Sequence, residues 1–142
     1  MKMQDWSVFI KEHFSKDVPY IRFMDVSVLE TQRGYAKVSL TAKPEHGNTY
    51  GIVHGGICAS LVDIAVGITL RTLKNKIVTI ETTTNYYEPA NIGDTLYATG
   101  TLVKEGKKIL YGNAEITNQD GRHIAGGRGT FFIIGEDDGI YR

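Results

Sequence analysis

Asn48-Thr49-Tyr50-Gly51-Ile52-Val53-His54-Gly55-Gly56 runs without a break into Ile57-Cys58-Ala59-Ser60-Leu61-Val62-Asp63-Ile64-Ala65-Val66-Gly67-Ile68-Thr69-Leu70. A polar, glycine-rich loop leads into a nearly all-apolar segment. From Gly55 to Leu70 the only formal charge is Asp63. Apolar residues occupy every side of a helical wheel drawn through that segment, which predicts a buried helix rather than an amphipathic one. A carboxylate is costly to bury unless something compensates it. Packing within one chain gives no reason to place one there, so Asp63 is read first as a functional group.

Upstream, Trp6, Phe9, Ile10, His13 and Phe14 recur at helical spacing within residues 4–15, and Ser15-Lys16-Asp17 and Pro19 end the pattern. Tyr20, Ile21, Phe23 and Met24 then precede a strand-like run through Val26, Val28 and Glu30 that turns at Gln32-Arg33-Gly34. Tyr35 to Thr41 alternates as a second strand. Pro44 to Val53 is loop by composition. Past the helix, Arg71 and Lys74 stand where cations favour a helix C-terminus. Four more strands are expected, over 77–87, 95–103, 109–117 and 123–134, with the Asp120-Gly121 pair a strong hairpin signal. Residues 1–19 read as an N-terminal helical extension and residues 135–142 as a frayed polar tail. The order helix, two strands, loop, buried helix, four strands implies an α+β domain, 1–142. In it one long central helix is wrapped by a curved antiparallel sheet. Such a sheet leaves an edge strand and part of the helix open, which points to a homodimer joined edge to edge.

The bulk numbers exclude several classes. At 142 residues, 42% of them hydrophobic, the chain is long enough to bury a real core. Zero formal net charge gives no global attraction to nucleic acid or anionic membrane, and the central apolar run is too short to span a bilayer comfortably. Met1-Lys2-Met3-Gln4-Asp5-Trp6 lacks a signal-peptide apolar core, and the single Cys58 has no disulfide partner within the chain, so a cytoplasmic location is expected. Cys58 reads as a small buried hydrophobe, because an apolar setting raises a thiol pKa. No Cys/His metal spacing, phosphate-cradling loop or Gly-x-Ser-x-Gly elbow is present.

His54-Gly55-Gly56 opens the helix, where unpaired N–H groups and the positive dipole end can polarise a carbonyl. The plainer reading is a helix-start turn that needs glycine. Asp63 follows His54 by nine residues, so within one chain the two stand more than about 10 Å apart. Two helices packed antiparallel across a twofold axis would bring the loop of one chain to the Asp63 of the other. The plainer reading of Asp63 is a backbone hydrogen bond or a polar contact between subunits. Asn48 reads either as an amide donor beside the glycines or as an Asx turn. Thr79 either orients a water or is simply a β-branched strand residue. Lys107, Lys108, Arg122 and Arg128 either hold phosphates or lie on solvated strand faces.

Gly51-Ile52-Val53-His54-Gly55-Gly56, six residues, then Asp63-Ile64-Ala65-Val66-Gly67 resembles the signature of the hotdog-fold acyl-CoA thioesterases, in the phenylacetic-acid-degradation (PaaI-like) branch. Asn48, Val78-Thr79-Ile80-Glu81, Tyr86-Tyr87-Glu88-Pro89-Ala90 and Gly127-Arg128-Gly129-Thr130-Phe131 extend the resemblance over about residues 20–134. It implies that the Gly55 N–H, assisted by Asn48, polarises a thioester carbonyl and that Asp63 of the partner subunit acts as general base or nucleophile. Thr79 would orient the water, and His54 would shape the loop. Gly56 and Tyr50 would line the substrate, and Arg128, Lys107 or Lys108 would meet the coenzyme A phosphates. The implied substrate is an acyl-CoA or aryl-CoA, with Phe23, Met24, Tyr50, Tyr86 and Tyr87 hinting at an aromatic or medium apolar acyl group. Coenzyme A is part of that substrate, and no metal or other cofactor is implied. The expected assembly is a homodimer at least, with two dimers stacked as a homotetramer the larger alternative. A hotdog dehydratase is the first alternative. It would need a paired His and acid, which the His54–Asp63 spacing argues against. A non-catalytic acyl-CoA sensor is the second.

Overall fold

The computed structural model describes residues 3–139. Among them lie helices α1 (Met3–Asp17), α2 (Pro19–Met24) and α3 (Gly55–Arg71), and a short 3-10 turn at Pro44–His46. The strands are β1 (Ser27–Gln32), β2 (Tyr35–Thr41), β3 (Asn75–Tyr86), β4 (Thr95–Glu105), β5 (Ile109–Thr117) and β6 (His123–Glu136). They form one antiparallel sheet in the order β1-β2-β4-β5-β6-β3, and α3 packs on its inner face. This is the α+β hotdog arrangement expected from the sequence.

The sheet admits α3 closely because glycines at two points of its floor leave out a side chain. A Cβ at Gly100 would stand 2.2 Å from Thr69 Oγ1 and 2.5 Å from the Ala65 carbonyl oxygen, and one at Gly112 2.9 Å from Val66 Cγ1. Leu61, Val62, Ala65, Val66 and Leu70 of α3 are fully buried against Ala98, Leu110, Ala114 and Ile116 of the sheet. Burying a side chain of the Val or Leu kind is worth roughly 1.5–3 kcal/mol, so this face alone accounts for much of the core's driving force.

The all-round burial expected for α3 needs correction. Gly56, Ala59, Ser60, Asp63 and Gly67 form a stripe of small residues that stays partly or fully exposed. Small apolar residues look buried on a wheel, yet here they mark the open side. Pro19 also does more than end α1. Its ring presets the first helical φ, and it starts α2, which Asp25 closes in the left-handed region at φ 61. That helix turns Ile21 and Met24 into the core and leaves Tyr20 and Phe23 outside, so Met24 cannot contribute to a substrate surface.

The tail differs from expectation as well. Gly135 and Glu136 continue β6, and Asp137 is 2% exposed. Arg71 donates to the Asp137 carboxylate from Nε at 2.8 Å and also from Nη2. The Trp6 indole donates to the Arg71 carbonyl at 2.8 Å, and the Arg71 guanidinium lies 4.5 Å from the Phe14 ring centre. Thus α1, the end of α3 and the end of β6 are fastened at one point, and the chain is docked as far as Gly139. The rest of the expected tail, 140–142, lies outside the described residues.

The two sheet edges are treated differently. On β1, the Val28 N–H donates to Ser15 Oγ of α1 at 2.9 Å, and Thr31 Oγ1 donates to the Ser7 carbonyl at 2.7 Å. On β3, Val78 and Ile80 remain 47% and 54% exposed. Register against β6 slips between Thr79 and Glu81, a β-bulge at Ile80. Among the described residues no helix is long and apolar enough to cross a membrane.

Arg71→Ala would leave the buried Asp137 carboxylate without its cation, with only the Gly139 N–H among the described residues still donating to it, so urea denaturation should show about 2–3 kcal/mol less stability. An unchanged unfolding midpoint would mean that this junction does not hold the tail.

Candidate active site

The loop before α3 is shaped by side chains that bond to backbone. Asn48 Oδ1 accepts from Tyr50 N–H at 2.9 Å and Ile52 N–H at 3.3 Å, an Asx turn that Gly51 completes at φ 77. Both sequence readings of Asn48 are thereby compatible. Its oxygen builds the turn, and its Nδ2 makes no hydrogen bond to another described residue. The His54 N–H donates to the His46 carbonyl at 2.9 Å, which anchors the loop at the start of α3.

His54 is the N-cap of α3, with φ −63 and ψ 137. Its Nδ1 accepts from the Gly56 N–H at 2.8 Å, and its carbonyl accepts from the Ile57 N–H at 2.9 Å. Because Nδ1 accepts, the neutral ring carries its proton on Nε2. His54 therefore shapes the loop, and the Gly56 amide is already in use. The Gly55 N–H has no partner among the described residues. It stands at the positive end of the helix dipole, beside a cleft of about 370 Å³ lined by Asn48, Gly55, Cys58, Tyr86, Tyr87 and Ala90 among others. Burial pushes the Cys58 thiol up to about 11, so this cleft residue is no nucleophile at neutral pH.

Asp63 lies eight residues along α3 from Gly55, about 12 Å at 1.5 Å per residue. It is half-buried on the open stripe, and its Oδ1 accepts from Thr79 Oγ1 at 3.0 Å. One chain thus makes two separate groups. Asn48, His54, Gly55 and Gly56 gather at the helix start, and Asp63 pairs with Thr79 two turns on.

The remaining predicted site residues belong to neither group. Tyr50 is 85% exposed at the tip of the Asx turn. Arg128 is exposed in register with Thr83 and Asn113, on the sheet face away from α3. Lys107 and Lys108 sit in the β4–β5 hairpin, beside Ile133 and the start of β3. Gly55 is at the other end of β3. Among the described residues no three His, Cys, Asp or Glu side chains gather to hold a metal ion.

One contact at the site had no motif to announce it. The Tyr86 hydroxyl donates to the Gly55 carbonyl at 2.8 Å. Thr79 and Tyr86 are seven residues apart and would face opposite ways in a regular strand. The bulge at Ile80 turns both toward α3. A lone Ile-Glu step in a β-branched run carries no sign of a bulge.

Comparison with known proteins identifies the family. A family model of the thioesterase superfamily matches residues 50–125. Mouse acyl-coenzyme A thioesterase 13 is 31% identical over 94 residues, covering 64% of this chain and 67% of that protein. The Escherichia coli PaaI protein, from the phenylacetic acid degradation operon, has the same fold. Its TM-score is 0.90 at 24% identity, with 96% of this chain and 99% of that one covered. A hypothetical thioesterase protein from Streptococcus pneumoniae, solved with coenzyme A, gives a TM-score of 0.78 at 27% identity, covering 82% of this chain and 94% of that one. The unpartnered amide at a helix start and the tethered carboxylate two turns along it therefore sit in a recognised frame: the chain belongs to the thioesterase superfamily, as a thioester hydrolase of the hotdog fold.

Proposed function

We propose that the chain hydrolyses an acyl-CoA or aryl-CoA to a carboxylic acid and free coenzyme A, at a site that two copies of the chain build together. The observation that carries this is the partition of the site along α3. The Gly55 N–H and Asp63 lie about 12 Å apart, too far to act on one carbonyl, yet both face open space. A second α3 packed antiparallel on the stripe of small residues would set Asp63 of the partner subunit opposite Gly55. The exposed edge of β3 would pair with its copy in the same step, covering a long row of unpaired backbone groups together with Val78 and Ile80. Phe132 and Ile134, 39% and 54% exposed, offer a further surface on which dimers would stack as a homotetramer.

In this site the thioester carbonyl oxygen accepts from the Gly55 N–H, and Asn48 Nδ2 is the second donor. Negative charge gathers on that oxygen as the tetrahedral intermediate forms, and fixed donors there stabilise it most. Asp63 of the partner subunit takes a proton from water as the water oxygen bonds to the carbonyl carbon. The C–S bond then breaks, and the leaving thiolate receives the proton. Thr79, bonded to Asp63, holds the carboxylate in place and so enters with the same subunit. Direct attack by the carboxylate, followed by hydrolysis of the anhydride, would use the same groups. Variants of the Streptococcus pneumoniae thioesterase have been solved with alanine for an aspartate and for a threonine 16 residues apart, the spacing from Asp63 to Thr79.

Tyr86, Tyr87 and the apolar floor of the cleft suit an aromatic or medium apolar acyl group. The coenzyme A phosphates would lie outside the cleft, where Arg128, Lys107 and Lys108 are the candidate contacts. The mechanism needs no metal or redox cofactor, and the chain's composition and apolar core fit a cytoplasmic enzyme.

Asp63→Asn should lower thiol release from acyl-CoA substrates roughly 10²- to 10⁴-fold while the dimer persists on size-exclusion chromatography. Wild-type turnover in that variant would contradict the mechanism. Gly55→Pro removes the N–H at a helix position that tolerates proline, its Cβ coming to 3.4 Å from the Tyr86 ring, and should lower kcat roughly 10²- to 10³-fold. A Gly55→Pro protein with full turnover would remove the amide from the mechanism.

A further inference from the structure

We propose that Tyr86 is a positioning residue for this site, holding the first turn of α3 so that the Gly55 N–H points at the thioester; the proposal rests on the hydrolase reading above. The Tyr86 hydroxyl donates to the Gly55 carbonyl at 2.8 Å. That carbonyl belongs to the same peptide group as the Gly56 N–H, which donates to His54 Nδ1 at 2.8 Å. One peptide plane is thus gripped at both ends, its oxygen by Tyr86 and its N–H by His54. Hydrogen bonds in such a chain polarise one another, so each strengthens the other.

The preceding peptide is held too, since the His54 carbonyl accepts from the Ile57 N–H at 2.9 Å. With its neighbours tied, the Gly55 N–H is left without a partner among the described residues. A glycine here lets the ring come close. A Cβ at Gly55 would stand 3.4 Å from three atoms of the Tyr86 ring and hydroxyl. Burial and the nearby Cys58 raise the phenol pKa, so the hydroxyl keeps its proton and remains a donor through neutral and mildly alkaline pH. The same edge strand therefore ties α3 twice. Thr79 fixes the carboxylate, and Tyr86 fixes the amide, on opposite sides of the Ile80 bulge. In a dimer the two tied groups would serve different copies of the site.

The test is Tyr86→Phe, which removes the hydroxyl and keeps the ring. It is compared with Asp63→Asn and with Tyr97→Phe, a phenol lost from the outer face of the sheet. Thiol release from a series of acyl-CoA and aryl-CoA substrates is measured well below every variant's melting temperature. Loss of a donor that orients an oxyanion contact should lower kcat roughly tenfold to a hundredfold, with KM within about twofold of wild type. Tyr97→Phe should leave both constants unchanged. In ¹⁵N-glycine spectra the Gly56 amide should shift in Tyr86→Phe and stay in place in Asp63→Asn. A Tyr86→Phe enzyme with wild-type kcat beside an inactive Asp63→Asn would overturn the proposal alone. So would a raised KM at unchanged kcat, which would make Tyr86 a mere acyl contact. A wild-type protein that releases no thiol from any substrate would overturn the hydrolase reading and this proposal together.

Discussion

The depth at which α3 sits on the sheet governs the rest of the molecule. Where β4 and β5 pass beneath the helix, glycine replaces side chains, and the helix backbone approaches to where a Cβ at Gly100 would collide with Thr69 and the Ala65 carbonyl. Close packing of this kind tolerates little displacement. It fixes both the height and the rotation of α3. Leu61, Val62, Val66 and Leu70 then point inward, and Gly56, Ser60, Asp63 and Gly67 must point out. The open stripe and the core are thus two consequences of one seating.

Strand β3 turns that seating into chemistry. It is an edge strand beside the open stripe, and it carries the side chains that bond to Asp63 and to the Gly55 carbonyl of α3. A regular strand could not present Thr79 and Tyr86 to the same helix, because seven residues is an odd number of steps. One extra residue at Ile80 reverses the alternation, which is the usual work of a bulge beside a site. The uncovered outer edge of β3 has a second consequence. In the proposed site, whatever pairs with that edge is brought next to Asp63, so assembly and catalysis would share one strand.

Much of this was legible in the sequence, and the reason is periodicity. Tyr35–Thr41 and Ile109–Thr117 alternate cleanly because each has one face against α3, and both strands have those bounds in the structure. The central helix, the Asp-Gly turn and the places of Asp63 and of His54-Gly55-Gly56 along that helix were readable for similar local reasons. What escaped depends on contacts distant in sequence or on exceptions to a period. Asp137 looks like a frayed acidic tail until Arg71, 66 residues away, is placed beside it. Helix α2 is a single turn and a half, too short for a periodic signal. Tyr86 reads in the sequence only as part of an aromatic cluster, because the bulge that turns its hydroxyl to Gly55 leaves no mark there.

The central claim is that each active site takes its amide from one chain and its carboxylate from another. Co-expressing Gly55→Pro chains with Asp63→Asn chains tests it directly. A mixed dimer would hold one site with both defects and one with none. With random pairing, half the dimers are mixed and half their sites are intact, so the preparation should recover about a quarter of wild-type thiol release. Two inactive homodimers whose mixture stays inactive, although mixed dimers are detected by mass, would contradict the claim and return the site to a single chain.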